Sequence, residues 1–284
     1  MPVNLSEIAS NIELRPDGLW CARTSSGVSY PEDGNQNCFT IEDSSFWFRH
    51  RNASLVELLK RFPPEGTFFD IGGGNGYVAQ AIQDAGWEVV LVEPGHAGAQ
   101  NARKRGIRQV VQATLGDAHF LPATLPAVGL FDVIEHIEDD RKFLQEVHGF
   151  LKANGRIYIT VPAFQTLWSH EDEEAGHWRR YTLRSLSDTL TASGFQIEFA
   201  TYIFGFLPLG ILLLRALPFR FGITPKRTAE ERMRIDHQVG GKLQTKALAY
   251  LMERELRRLA SGRMSRIGGS CLVVARANSS ERST

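Results

Sequence analysis

The sequence predicts an α/β fold with a doubly wound, mostly parallel sheet, and three observations carry that expectation. Between residues 67 and 161, short apolar runs of strand length alternate with helical stretches; repeated units of this kind bury a parallel sheet between helices. One unit, Phe68-Phe69-Asp70-Ile71, opens onto Gly72-Gly73-Gly74-Asn75-Gly76 and then Tyr77-Val78-Ala79. That strand, glycine loop and helix bring the backbone within contact distance of a ligand at a helix N-terminus. The chain has 284 residues with 43% apolar and 23% charged side chains, enough for one large domain or one domain with insertions.

Residues 1–43 are read as an irregular N-terminal segment, since 14–43 are rich in Gly, Pro, Ser, Asp and Asn. A helix over residues 44–62 starts at a Ser44 or Ser45 cap and stops at Pro63-Pro64. Strands are predicted at 67–71, 88–93, 109–112, 127–134 and 156–161. Helices are predicted at 77–85, 97–104 and 139–151, ending at Gly86, Gly106 and Asn154-Gly155. Beyond them come a helix at 183–193 between Thr182 and Gly194 caps, a strand at 195–202, a helix at 243–260 and a strand at 270–275. The domain reading is a core over 44–204, a hydrophobic and helical insertion or lid over 205–268, a final core strand at 269–277 and a disordered tail at 278–284.

Lys plus Arg and Asp plus Glu both number 32, so the net charge is zero. That argues against broad electrostatic capture of nucleic acid. The three cysteines (Cys21, Cys38, Cys271) form no CxxC pair, which supports neither a disulfide framework nor a zinc knuckle. The N-terminus lacks an apolar run of the signal-peptide kind, and a reduced, cytoplasmic setting is expected. The uncharged run at 203–214 is shorter than the roughly 20 residues that span a bilayer. It reads either as a buried helix or lid, or, through 203–222 with Arg215, Arg220, Lys226 and Arg227 nearby, as a peripheral surface for an inner membrane or a lipid-linked substrate.

The glycine loop is not the dinucleotide fingerprint, which needs glycine where Tyr77 stands. An acid, Asp70, precedes it instead, which suits an amine-bearing ligand better than a pyrophosphate. The segment resembles motif I of the class I S-adenosyl-methionine-dependent methyltransferases, and the later motifs follow in order. Val89-Val90-Leu91-Val92-Glu93 delivers an acid to a strand end about 23 residues on. Gly116-Asp117-Ala118-His119 fits the adenine-side segment. Phe131-Asp132-Val133-Ile134-Glu135-His136 is similar to the strand-end Glu/Asp-x-x-Glu-His segment of small-molecule members, including the ubiquinone-pathway O-methyltransferase group. The resemblance implies a seven-stranded sheet with an antiparallel last strand and S-adenosyl-L-methionine as the cofactor. It implies cofactor contacts from Asp70, Gly72, Gly74 and Gly76, from Glu93 to the ribose, from Asp117 and Ala118 to adenine, and from Asp132 at the methyl-donor end. Arg51, in an aromatic N-terminal helix, is expected to meet the methionine carboxylate.

Two polar stretches just past the fifth predicted strand, Leu167 to Asp172 and Gly176 to Thr182, are read as the acceptor side. They resemble the His-x-Arg-Arg-Tyr loop of methyltransferases near bacterial glycan pathways. Candidate bases are His136, His170 and His177. Candidate acceptor contacts are Trp168, Arg179, Arg180 and Tyr181. A structural reading competes for each: His136 capping its turn, and the loop salt-bridged around Tyr181. The spacing of His170, Asp172 and His177 is not diagnostic of a metal, and no metal site is assigned. The expected activity is methyl transfer to an O or N nucleophile of a small-molecule or glycan-related acceptor. A nicotinamide-dependent oxidoreductase and a non-catalytic S-adenosyl-methionine-binding protein stay open as alternatives.

Overall fold

The computed structural model describes residues 3–24, 39, 41–223 and 242–278. Cys38, Lys226, Arg227 and all but one residue of the expected tail lie outside them.

The described strands are β1 (Ile12–Leu14), β2 (Trp20–Ala22), β3 (Phe68–Ile71), β4 (Val89–Val92), β5 (Gln109–Gln112), β6 (Leu125–Phe131), β7 (Leu151–Pro162), β8 (Phe195–Ile203) and β9 (Ser270–Ala277). They form one sheet in the order β1-β2-β5-β4-β3-β6-β7-β9-β8. β2 through β7 pair in parallel, while β9 runs antiparallel between β7 and β8. β3 and β4 are buried along their whole length, which is why they read as unbroken apolar runs.

The sheet has nine described strands rather than the seven expected. The two extra strands come from the segment read as irregular. Leu19 and Gly18 N–H groups flank the turn Pro16-Asp17-Gly18: Leu19 donates to Asp17 Oδ1 at 3.1 Å and Gly18 to the Arg15 carbonyl at 2.9 Å. Gly18 takes φ 83°, which favours glycine. The resulting hairpin adds β2 in parallel to the β5 edge. Each strand spans only three residues, too few for an alternating pattern to show.

The chain leaves β3 toward β4 on one side and returns through β6 on the other. Such a switch point opens a crevice at the strands' carboxyl ends. Helix Phe46–Arg61 covers this region, its start capped by Ser45 Oγ accepting from the Trp47 and Phe48 N–H groups. Its inner face buries Phe48, Leu55, Leu58 and Leu59 with the polar His50, Arg51 and Asn52. His50 Nε2 meets Glu255 Oε1 at 2.7 Å, on helix Lys242–Ala260. Glu255 also accepts from the Phe204 and Gly205 N–H groups at 2.6 and 2.8 Å, just past β8. One carboxylate therefore joins the covering helix, the late helix and the end of β8.

After β8 the chain forms Pro208–Ile211, a π-helical turn Leu212–Ala216 and Leu217–Arg220. Leu209, Leu213, Leu214 and Phe221 are exposed on it. No helix among the described residues is long and apolar enough to cross a membrane.

The return into β9 generates a stability prediction. A Cβ at Gly268 would lie 2.1 Å from the Ile203 carbonyl oxygen, whereas one at Gly149, in helix Asp140–Phe150, meets nothing within 4 Å. Gly268→Ala is expected to destabilise by about 1–3 kcal/mol. Gly149→Ala is expected to stabilise by up to about 1 kcal/mol. Paired chemical denaturation curves check both.

Candidate functional site at the carboxyl edge of the sheet

β3 delivers Asp70 to the crevice with a relative exposure of 1%. One carboxylate oxygen, Oδ2, has no hydrogen-bond partner. Burial, reinforced by the neighbouring Glu93 and opposed by Arg51, pushes its pKa up to about 7. The loop past it needs glycine in two different ways. Gly76 takes φ 79°, and a Cβ there would press on Ala102 at 2.9 Å. A Cβ on Gly73, which the sequence reading left unassigned, would meet Asp70 Oδ2 and Leu91 Cδ1, both at 2.8 Å. The loop thus passes directly over the acid. Gly72 and Gly74 also take positive φ.

β4 delivers Glu93, also buried. Its carboxylate accepts from the Gly74 N–H at 2.9 Å and the Gly95 N–H at 2.8 Å. The acid is therefore oriented by the loops after both strands. Beyond β5, Asp117 donates its N–H to Thr114 Oγ1 at 2.9 Å, and Ala118, fully buried, donates to the Thr114 carbonyl at 3.1 Å. Asn11 reaches the Asp117 carbonyl at 2.7 Å, so the N-terminal hairpin region props up this turn.

β6 ends at Phe131, earlier than the sequence pattern suggested, because Asp132 turns to φ 58°. The turn points its carboxylate at two partners. Thr160 Oγ1 donates at 3.2 Å, and the Arg51 guanidinium forms a short ion pair. The same guanidinium lies over the Trp47 ring, 4.7 Å from its centroid. The structure thus brings Arg51, Asp132 and Asp70 into one electrostatic neighbourhood.

Directly after comes the turn Ile134–His136. Glu135 is wholly buried, and beyond its own backbone N–H its carboxylate has no hydrogen-bond partner. Burial and then Asp132 hold its pKa well above the usual carboxylate range. The Glu135 carboxylate and the imidazoles of His136 and His177 offer ligand atoms within 4.8 Å of one another. Burial, with the neighbouring His177, pushes His136 down to about 4, which keeps its ring neutral at pH 7. His177 Nδ1 meets Asp172 Oδ1 at 2.8 Å. Asp172 also accepts from the Ser169 N–H at 2.9 Å and Arg180 Nε at 2.7 Å. Burial works against its charge, but the bonds from His177 and Arg180 outweigh it and hold the carboxyl below the usual range.

Of the expected acceptor contacts, several have partners within the protein. Arg179 pairs with Asp140 at 2.8 Å and Arg180 with Asp172. The Tyr181 hydroxyl, buried, donates to Asp140 Oδ2 at 2.6 Å. Trp168 is half-buried. His170 stands apart from the histidine pair, its ring against Phe219 and 3.8 Å from Glu173. Sequence reasoning named Glu135 only as part of a motif. In Glu135-His136-Ile137-Glu138-Asp139-Asp140 it reads as one of a solvated acidic run, and nothing local marks it as the buried one.

Residues 47–198 match the family profile described as a methyltransferase domain. A relative from Mycobacterium tuberculosis, named a probable S-adenosylmethionine-dependent methyltransferase, is 26% identical over 187 residues, covering 64% of this chain and 67% of its own. A similarly named protein of Mycolicibacterium smegmatis is 25% identical over 171 residues, covering 59% of this chain and 66% of its own. Among solved structures, Haemonchus contortus phosphoethanolamine N-methyltransferase 2, in complex with S-adenosyl-L-methionine, superposes with a TM-score of 0.54 at 20% identity. That match covers 88% of this chain and 58% of the other, and it shows a shared fold. With a family match over more than half its length, and the acids and glycine loop in order along the carboxyl edge, the chain belongs to the class I S-adenosyl-methionine-dependent methyltransferases.

Proposed function

We propose that the protein moves a methyl group from S-adenosyl-L-methionine to an oxygen or nitrogen of a small-molecule or glycan-related acceptor held at the Glu135, His136 and His177 cluster. The observation that supports this reading most is the adjacency of two sets of groups. The acids at the strand ends suit the donor, and three residues past Asp132 begins a buried polar cluster whose carboxylate has no partner beyond its own backbone N–H.

On the donor side, Asp70 faces the amino group, Glu93 takes the ribose hydroxyls, and Asp117 with Ala118 borders adenine. Gly72, Gly74 and Gly76 let the backbone approach. Arg51 has to share its guanidinium between Asp132 and the donor's carboxylate. On the acceptor side, a nucleophile lined up with the sulfonium attacks the methyl carbon. The new bond forms from the acceptor lone pair, and the C–S bond breaks with its electrons staying on sulfur as a neutral thioether. A hydroxyl acceptor also releases a proton. His177 is placed to take it, because the buried Asp172 carboxylate stabilises the resulting imidazolium. Alignment and exclusion of water supply most of the acceleration, since the leaving group is neutral. Trp168 and the exposed Trp178 offer apolar contact to the acceptor.

Asp70→Ala and Glu93→Ala are each expected to weaken S-adenosyl-homocysteine binding roughly 10- to 100-fold while leaving the far-ultraviolet circular dichroism unchanged. Titration calorimetry reads the effect, and wild-type affinity in both folded variants sinks the donor assignment.

The raised Asp70 pKa sets a pH dependence. Its folded value of about 7 lies above its ordinary 3.8, so the folded apo state holds a proton that the unfolded chain releases. That contribution to apo stability is complete below about pH 4 and is lost as pH rises to about 7. Donor binding has the opposite sign, because an ammonium needs the ionised acid. Affinity is expected to be level above about pH 7 and to fall below it, with the slope abolished in Asp70→Asn.

The exposed Leu209, Leu213, Leu214 and Phe221 form part of this proposal as a peripheral contact for a membrane surface or lipid-linked acceptor. Wild-type protein is expected to co-sediment with anionic vesicles, and Leu213→Asp with Leu214→Asp to lose most of that binding. Equal sedimentation of both proteins rules the contact out.

A further inference from the structure

We propose that Glu135, His136 and His177 bind one first-row divalent transition-metal ion, with Zn(II) or Mn(II) as the ions to test. The inference rests on the methyl-transfer reading for its use but not for its detection.

Glu135 is the unusual group of the three. It is wholly buried, and beyond its own backbone N–H its carboxylate has no hydrogen-bond partner. Native proteins rarely leave such a group unsatisfied, and a bound cation supplies what the surrounding side chains do not. The nearest candidates to share it are ligand atoms of His136 and His177, all within 4.8 Å of one another. Ligand atoms bonded at about 2.0–2.2 Å to a tetrahedral ion lie roughly 3.4 Å apart, so side-chain movements of up to about an ångström bring these three onto one ion.

The surroundings of the two histidines point the same way. A ligating imidazole usually gives its other ring nitrogen to a carboxylate or backbone carbonyl, which fixes the ring and its tautomer. His177 gives Nδ1 to Asp172 at 2.8 Å, leaving Nε2 as its ligand atom. Asp172 is fully buried and is itself held by Arg180 and the Ser169 N–H. His136 hydrogen-bonds the backbone at Ala175 and Gly176. Each histidine thus has an orienting partner, whereas the carboxylate has only its own backbone N–H.

The donor set selects the ion. Two imidazoles and a carboxylate suit transition metals, whereas magnesium and calcium prefer oxygen ligands. Three protein ligands leave positions open for an acceptor oxygen. A hydroxyl bound there ionises more readily, its proton passing to solvent. The ion would then replace His177 in promoting deprotonation, by lowering the pKa of the bound hydroxyl rather than by accepting its proton.

The test uses tag-free, full-length protein stripped with a chelator. Calorimetric titration with zinc chloride, and separately with manganese chloride, is expected to show one ion per chain. Glu135→Gln and His177→Gln are each expected to weaken binding at least 100-fold, with Glu173→Gln unchanged. S-adenosyl-homocysteine affinity, measured on the same samples, reports whether each variant keeps its fold. If the cluster variants do not fold, pulsed electron paramagnetic resonance of the wild-type Mn(II) complex replaces them, with couplings from two imidazole nitrogens expected. The proposal is overturned by a wild-type chain that binds neither ion, by affinity unchanged in both folded variants, or by a Mn(II) spectrum without imidazole nitrogen. No acceptor is present in these measurements, so failure of the metal site is distinguishable from failure of the methyl-transfer reading.

Discussion

The structure at the carboxyl edge depends on the pairing of Arg51 with Asp132. Sheet topology brings acids to the ends of β3, β4 and β6, and burial of Asp70 and Glu93 raises the free energy of both as anions. Arg51 is the cation that offsets them. It bonds Asp132 directly and lowers the cost of charge on Asp70 and Glu135. That cation sits on helix Phe46–Arg61, so the helix is held over the crevice by electrostatics as well as by its apolar face. Trp47 and Phe48 lie against the guanidinium and shield it from water, which strengthens the pairing. On the proposed donor reading, S-adenosyl-L-methionine adds one net positive charge here through its sulfonium, while its ammonium meets Asp70 and its carboxylate competes with Asp132 for Arg51.

The covering helix is positioned again from its other side. Glu255 receives His50 and the N–H groups of Phe204 and Gly205. The same region leads into Gly268, whose lack of a side chain lets β9 begin against the Ile203 carbonyl. The antiparallel insertion of β9 between β7 and β8 is therefore coupled to the placement of Arg51 through a short chain of packed and hydrogen-bonded groups.

Much of this was legible in the sequence where the local pattern and the tertiary demand coincide. Phe68 to Ile71 and Val89 to Val92 are buried on both faces, so composition alone marks them as strands. Gly76 was legible because a left-handed residue before a helix favours glycine. The β1–β2 hairpin was not, since its strands are too short to show a period. The end of β6 was misplaced because Asp132 adopts a left-handed conformation that aliphatic flanking residues do not announce. Glu135 is the clearest limit. Its neighbours Glu138 and Asp139 are exposed, whereas Glu135 is wholly buried beneath a turn that the 169–181 loop meets through the Trp178 N–H.

In that loop the expected acceptor contacts also carry partners within the protein. Arg179, Arg180 and Tyr181 have the chemistry to hold an anion, yet Asp140 and Asp172 already engage them. An anionic acceptor has to displace those carboxylates, and Asp172 lies wholly buried. The arginines instead fix the loop so that Asp172 can aim His177 at His136 and Glu135. Trp178 stands exposed beside Glu135, its N–H donating to that residue's carbonyl at 2.8 Å. Internal ion pairs thus build a frame around the two histidines, with Trp178 and the acids Glu173 and Glu174 on the outer side of the same loop.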